Sequence, residues 1–216
     1  MTVSHDLKTI WWMPEQTGED TTSSILEKYG FTVEDDTEYP DYTLICNMRN
    51  PYDRILSLYF KKHFNNKLIK KELTSSYKTM FNNWIKDAFI SNKLIVTTSN
   101  LPKFTKREGN ILDRWHFNNR TPNKFIRIED YKNEMSEIDF IKDSNEFKNG
   151  ELKDLLETNF KEQRTFSFDE MYSFESAKKI YHFHKKHFYL CGYSPFSFTK
   201  ENLSDEEKIT FLHDIV

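Results

Sequence analysis

Apolar residues recur along this chain in two rhythms. Thr9-Ile10-Trp11-Trp12-Met13 is a short run of large apolar groups, which predicts a strand. A polar loop over 14–20 follows. Thr21 to Tyr29 then predicts a helix, with Ile25 and Leu26 facing inward and Gly30 as its stop. The plan repeats at Thr43-Leu44-Ile45-Cys46-Asn47-Met48, a nearly continuous apolar run of the kind that suits a central parallel strand. Asn50 can cap the next helix, Pro51 fits its first position, and Asp53 sits in its positive first turn. Tyr52, Ile55, Leu56, Tyr59 and Phe60 then fall on one helical face. Tyr77 to Phe89 predicts a second amphipathic helix, with Tyr77, Met80, Phe81, Trp84, Ile85 and Ala88 on its apolar side. Leu94 to Thr98 and Lys124 to Ile128 predict two further strands, and Asp143 to Asn149 a surface loop. Phe174 to Leu190 predicts one long helix that Gly192 ends. Strands alternating with helices predict a single α/β domain over 1–216, with a central parallel sheet flanked by helices. Ligands bind such sheets at the carboxyl ends of the strands.

Composition narrows the picture. The chain has 216 residues, enough to bury a core without covalent staples. Its 19 Phe, 11 Tyr and 4 Trp predict a core built from rings more than from aliphatic groups. A net charge of −3, with charges of both signs interspersed, argues against a nucleic-acid partner. Cys46 and Cys191 each lie in an apolar run and read as buried free thiols, which points to a reducing, cytoplasmic setting. No basic segment with a following apolar stretch opens the chain. No apolar run reaches the ~20 residues that a membrane helix needs. Nothing in the pattern fixes an oligomeric state.

The densest chemical signal is Met48-Arg49-Asn50-Pro51-Tyr52-Asp53-Arg54-Ile55-Leu56-Ser57-Leu58-Tyr59. Arg49 ends a buried strand, and Ser57 lies two turns into the following helix, off its apolar face. A planar guanidinium, a hydroxyl and the positive end of a helix dipole suit a phosphate. The same residues also fit a capped helix whose Arg pairs with a carboxylate, and both readings stand on the residues alone. Gly18, Gly30, Gly109, Gly150 and Gly192 are the only glycines, so neither a Walker loop nor a dinucleotide fingerprint exists. That counts against a nucleotide kinase or another phosphoryl transferase. His182, His184 and His187 cluster near the C-terminus, but with Cys191 as the only neighbour they make no metal set and read as helix-surface residues.

Arg-Asn-Pro-Tyr-x-Arg-x-x-Ser-x-Tyr resembles the 3′-phosphate-binding motif of sulfotransferases that use 3′-phosphoadenosine 5′-phosphosulfate (PAPS), nearest to the carbohydrate sulfotransferase branch. The resemblance implies that Arg49 and Ser57 hold the 3′-phosphate. Phe125-Ile126-Arg127-Ile128-Glu129-Asp130-Tyr131 is similar to the family's strand ending in Arg-x-Glu-Asp-Leu. Ile180-Tyr181, His187-Phe188 and Gly192-Tyr193 are similar to its closing helix, with His187 where Asp is usual. Asn159 to Arg164 resembles the loop before that helix, which makes Arg164 and Lys161 candidate cofactor cations. The implied fold is the P-loop-like α/β fold of the family.

The family's first strand leads into Pro-Lys-x-Gly-Thr-Thr/Ser, whose backbone N–H groups and hydroxyls cradle the 5′-phosphosulfate. Here the chain reads Pro14-Glu15-Gln16-Thr17-Gly18-Glu19-Asp20-Thr21-Thr22-Ser23. Thr17, Gly18, Thr21, Thr22 and Ser23 match as hydroxyl and turn residues. Glu15 or Gln16 stands where the family has Lys, and Glu19 and Asp20 add negative charge, unfavourable to a phosphosulfate by ~1 kcal/mol or more per close pair. Lys8, Arg54 and Arg164 are candidate replacement cations. The family's general base is a His or Glu, often between the first helix and the Arg strand. In that interval Glu34, Asp36 and Glu38 are the carboxylate candidates, with Asp36 favoured. His63 and His116 are imidazole alternatives. The resemblance therefore implies a sulfotransferase that moves a sulfuryl group from PAPS to a hydroxyl or amine acceptor, small molecule or carbohydrate, and releases 3′-phosphoadenosine 5′-phosphate (PAP). The aromatic helix Tyr77 to Phe89, Trp84 included, is with Trp115 a candidate for the acceptor side. The alternative is a catalytically inactive protein that keeps the fold and the nucleotide.

Overall fold

A computed structural model of the chain describes residues 1–14, 16–34, 39–64, 75–90, 121–156 and 167–213. Its contacts gather into two compact units, Met1–Arg49 with Trp115–Lys161, and Asn50–Arg114 with Glu162–Val216.

The first unit carries a five-stranded sheet in the order β3-β1-β2-β4-β5, with β1 Thr2–Ser4, β2 Thr9–Trp12, β3 Thr32–Val33, β4 Thr43–Met48 and β5 Lys124–Arg127. The expected strands at Thr9, Thr43 and Lys124 are all present. Leu94 to Thr98 lies outside the described residues. The purely parallel expectation is corrected. β2, β4 and β5 run parallel, whereas β1 pairs antiparallel with both β2 and β3, so the sheet is mixed. The reason is local. β1 folds straight back on β2 through a four-residue turn, which antiparallel neighbours permit and parallel ones do not. That turn closes with the Lys8 N–H on the His5 carbonyl at 3.2 Å, and Lys8 takes φ 46°.

β4 is buried from Leu44 to Met48, as a strand with covered neighbours on both edges should be. Helix α1, Glu19–Leu26, runs into a 3₁₀ turn over Glu27–Tyr29 that Gly30 ends at φ 71°, a left-handed stop of the expected kind. After β5 come four short helices: α4 Tyr131–Ser136, α5 Asp139–Lys142, α6 Asn145–Lys148 and α7 Lys153–Leu156. Helix α6 corrects the loop expected over Asp143 to Asn149. Ser144 caps it, accepting from the Phe147 N–H at 3.1 Å. Trp11, Ile25, Leu26, Phe31, Ile45, Ile126 and Tyr131 lie in one buried cluster with the apolar faces of α4 to α7.

The second unit is helical among its described residues. It contains α2 Pro51–Phe64, α3 Ser75–Ile90, α8 Phe174–Phe183, α9 Lys185–Cys191 and α10 Asp205–Leu212. Asn50 caps α2 through its side chain, 3.0 Å from the Tyr52 N–H. Tyr52, Ile55, Leu56, Tyr59 and Phe60 are all buried, as their spacing predicts. Phe81, Trp84 and Ile85 of α3 join them, but Met80 is 51% exposed and is corrected from core to surface. The rings pack mostly edge-on: Tyr52 against Tyr172, Tyr59 against Phe81, Phe174 against Phe211.

The long helix expected from Phe174 to Leu190 is two helices, broken at His184, whose φ −106° and ψ 19° are not helical. The His184 N–H bonds to both the Ile180 and Tyr181 carbonyls, the signature of a closing turn. His184 and His187 are buried, which corrects their expected surface placement, and their Nδ1 atoms lie 3.0 Å apart.

Candidate functional site

Two segments that the sequence singles out, the loop after β2 and the end of β4, meet inside the first unit. Their organiser is Asn47, a polar residue in an otherwise apolar strand and fully buried. Its side-chain oxygen accepts from Trp11 Nε1 at 2.8 Å. Its amide donates to the Thr17 carbonyl at 2.9 Å and to Thr22 Oγ1 at 2.8 Å. Thr22 Oγ1 also lies 2.9 Å from the Tyr131 hydroxyl, whose own pKa burial raises. One amide thus ties β2, the loop and α1 together. Buried amides hold such geometry because a missing partner leaves a desolvated group, a penalty of about 1–3 kcal/mol each.

The loop turns sharply over three residues. Gln16 adopts φ 66° and Gly18 φ 78°. The first is unusual for a residue with a side chain, and it aims successive N–H groups the same way. Those groups are engaged. The Gln16 and Thr17 N–H groups donate to the two carboxylate oxygens of Glu19, at 3.2 and 3.1 Å. Glu19 opens α1, so its carboxylate sits at the positive end of that helix. The Thr17 hydroxyl donates to the Pro14 carbonyl, and Ser23 Oγ contacts Met13 Sδ at 3.8 Å. Thr17 and Thr22 are buried, while Thr21, Gly18 and Ser23 are partly exposed.

Arg49, directly after β4, is 5% exposed. It donates through one guanidinium nitrogen to the Gln16 carbonyl at 3.3 Å. It therefore lies against the loop, at the carboxyl edge of the parallel strands. Ser57 lies in the second unit on α2, 2% exposed, with its hydroxyl donating to the Asp53 carbonyl at 3.0 Å. Arg54, on the same helix, is buried near His184 and His187, whose pKa values it helps to lower. His63 is exposed on α2, its ring 4.9 Å from Tyr59 and 6.0 Å from Trp84. Trp84, an expected acceptor-side residue, is 6% exposed and belongs to the aromatic core of the second unit. Asp36, Glu38, Lys161, Arg164, Trp115 and His116 lie outside the described residues.

Glu34 is placed in the first unit directly after β3, its N–H donating to the Met1 carbonyl at 3.2 Å. His5 Nε2 lies 2.8 Å from one of its oxygens, and the Tyr39 hydroxyl donates to the other at 2.6 Å. The Tyr39 bond and, behind it, His5 hold this carboxylate below its usual range against partial desolvation. His5 Nδ1 meets the Tyr42 hydroxyl at 2.9 Å. Sequence reading missed His5 and Tyr42, which are brought together only by the β1–β2 turn and the start of β4. It also missed Asn47 as an organiser, although a lone amide inside Leu44–Met48 was its visible trace.

Compared with known proteins, the chain matches no family model, no curated protein and no solved structure. Among the described residues, no helix is long and apolar enough to cross a membrane.

Proposed function

We propose that this chain is a PAPS-dependent sulfotransferase of the P-loop-like α/β type, acting on a hydroxyl or amine acceptor. In that reaction the acceptor's lone pair attacks sulfur, the bond from sulfur to the bridging phosphate oxygen breaks, PAP leaves, and a base takes the acceptor's proton. Positioning and fixed positive charge carry most of such a transfer. The observation that carries the reading is Arg49. A buried guanidinium ends a parallel strand and touches the backbone of the loop that precedes α1. In the reading, Arg49 binds the 3′-phosphate, and the loop from Thr17 to Ser23 faces the phosphosulfate.

A second reading has its own support. The Glu19 carboxylate accepts from the Gln16 N–H, a donor an anion would need, and shares the Thr17 N–H with the Pro14 carbonyl. Together with the acids beside it and the missing loop lysine, this favours a protein that holds the nucleotide without turning it over.

Calorimetry with PAP tests both, using the wild type, Arg49→Ala and Arg49→Lys. Loss of a charge-assisted phosphate contact weakens binding by about 10- to 100-fold. Binding by the wild type that falls in Arg49→Ala and recovers in part in Arg49→Lys supports a nucleotide site. Sulfate transfer from PAPS then selects the enzyme, and its absence the inactive binder. No PAP binding by the wild type overturns both readings.

A further inference from the structure

Within the second unit, the turn after α9 builds a cavity of about 840 Å³, in the size range of small-molecule sites. The chain reaches it by two breaks. At His184 the helix stops and restarts, which gives α9 its own direction. At Gly192, φ 67° ends α9, and the Tyr193 N–H returns to the Phe188 carbonyl at 3.0 Å. The segment beyond is anchored. The Pro195 carbonyl accepts from the buried Tyr52 hydroxyl at 2.7 Å, and Ser197 Oγ accepts from the Asn50 amide at 3.0 Å. The cavity is therefore held open by bonded backbone rather than by loose side chains.

Its lining has a definite chemistry. Tyr181 and Phe188, 8% and 3% exposed, are among its buried lining rings. Tyr189 and Tyr193 also line it, and Tyr189 is 85% exposed, far beyond what packing requires of so large a ring. Lys185 and Lys186, both exposed at the start of α9, add two ammonium groups. Among the described residues that line the cavity, none is a carboxylate. Aromatic faces bind flat rings, and ammonium groups bind oxyanions as mobile point charges.

We propose that this cavity binds a ring-bearing oxyanion, namely an aryl or nucleoside phosphate or sulfate ester. The ring stacks between Tyr189 and Tyr193, and the ester oxygens meet Lys185 and Lys186. The proposal uses neither Arg49 nor the loop after β2, so it stands or falls apart from the PAPS reading.

The test is a titration of the full chain followed by amide resonances over 185–194, with phenyl phosphate as the probe. Phenol serves as the ring without charge and inorganic phosphate as the charge without a ring. Phenyl phosphate is expected to shift these resonances saturably. Each control, the variant Lys185→Gln/Lys186→Gln and the variant Tyr189→Ala should bind roughly tenfold more weakly. All three substituted residues are exposed, so an unchanged thermal midpoint separates lost binding from lost folding. Phenol binding as tightly as phenyl phosphate would remove the charge from the proposal, and inorganic phosphate binding as tightly would remove the ring. No shift, or an unchanged double variant, overturns it.

Discussion

Acid should weaken the second unit well before it touches ordinary carboxylates, because of the imidazole pair at the break between α8 and α9. His184 and His187 are 2% and 1% exposed, and their Nδ1 atoms are 3.0 Å apart. That contact needs a proton on one Nδ1 and a lone pair on the other, so both rings cannot be charged while it lasts. Among the described residues, neither Nε2 has a partner to receive or stabilise a second charge. Burial, then the neighbouring His187 ring, then the Arg54 guanidinium hold His184 well below its ordinary 6.5. Burial, then Arg54 and Lys186, push His187 down to about 3. Arg54 on α2 and Lys186 on α9 are thus cations that disfavour protonation of the pair.

The sign follows from proton counting. Below pH 6.5 the unfolded chain binds a proton at each imidazole, and the folded chain does not until far lower pH. Stability therefore rises with pH through this window and is lost as pH falls from 6.5 toward 3. Each such group contributes a slope of about 1.4 kcal/mol per pH unit, so the pair gives about 2.7. Between pH 6.5, where each unfolded imidazole is half protonated, and pH 5 the loss is about 3 kcal/mol, a large share of a typical domain's stability. Urea unfolding followed by circular dichroism at pH 7, 6 and 5 reads this directly. His187→Gln keeps an amide beside His184 but removes one titrating ring. It should roughly halve the slope, whatever it does to stability at pH 7. An imidazole resonance from either ring that titrates near pH 6.5 in the folded chain would refute the reasoning. So would a His187→Gln slope equal to that of the wild type.

Two further outcomes follow from the first unit. Glu19→Gln removes the carboxylate that occupies the Gln16 and Thr17 N–H groups, so PAP should bind about tenfold tighter, at a loss of about 1 kcal/mol in stability. Calorimetry beside urea unfolding measures both, and unchanged affinity would mean that no anion approaches these groups. Asn47→Leu strands Trp11 Nε1 and the Thr17 carbonyl and leaves Thr22 Oγ1 with the Tyr131 hydroxyl, and should destabilise by about 3 kcal/mol. A loss below about 1 kcal/mol in urea unfolding would show that solvent takes over Asn47's role.

How far the sequence was legible depended on how local each cause is. The turn from β4 into α2 was readable because every device lies within five residues: an apolar strand, the Asn50 cap, Pro51 at the first position and Asp53 in the first turn. Gly30 and Gly192 were readable as stops because left-handed backbone selects glycine. The edge strands β1 and β3 were not readable. Three and two residues carry no period, and Thr32 and Val33 are both exposed, so only pairing makes them strands. The break at His184 was hidden for a different reason. Ile180, Tyr181, His184 and Phe188 continue a helical spacing, and the break accompanies a buried contact between two imidazoles that no spacing encodes.

Glu19 shows where reading by motif and reading by physics part. As a motif residue it is an acid in a loop that should attract anions, a mismatch. As a helix residue it lies three positions after Gln16 and two after Thr17, within reach of their N–H groups, much as the acid of a capping box reaches back. The Gln16 and Thr17 N–H groups precede Gly18 at the N-cap, so they are loop donors of the kind a phosphosulfate would need and not the helix's own first donors. The Glu19 carboxylate engages them from within the chain, and a ligand must then displace it. Whether the loop serves catalysis or only closes on its own carboxylate thus reduces to one competition, between Glu19 and an external oxyanion for two N–H groups.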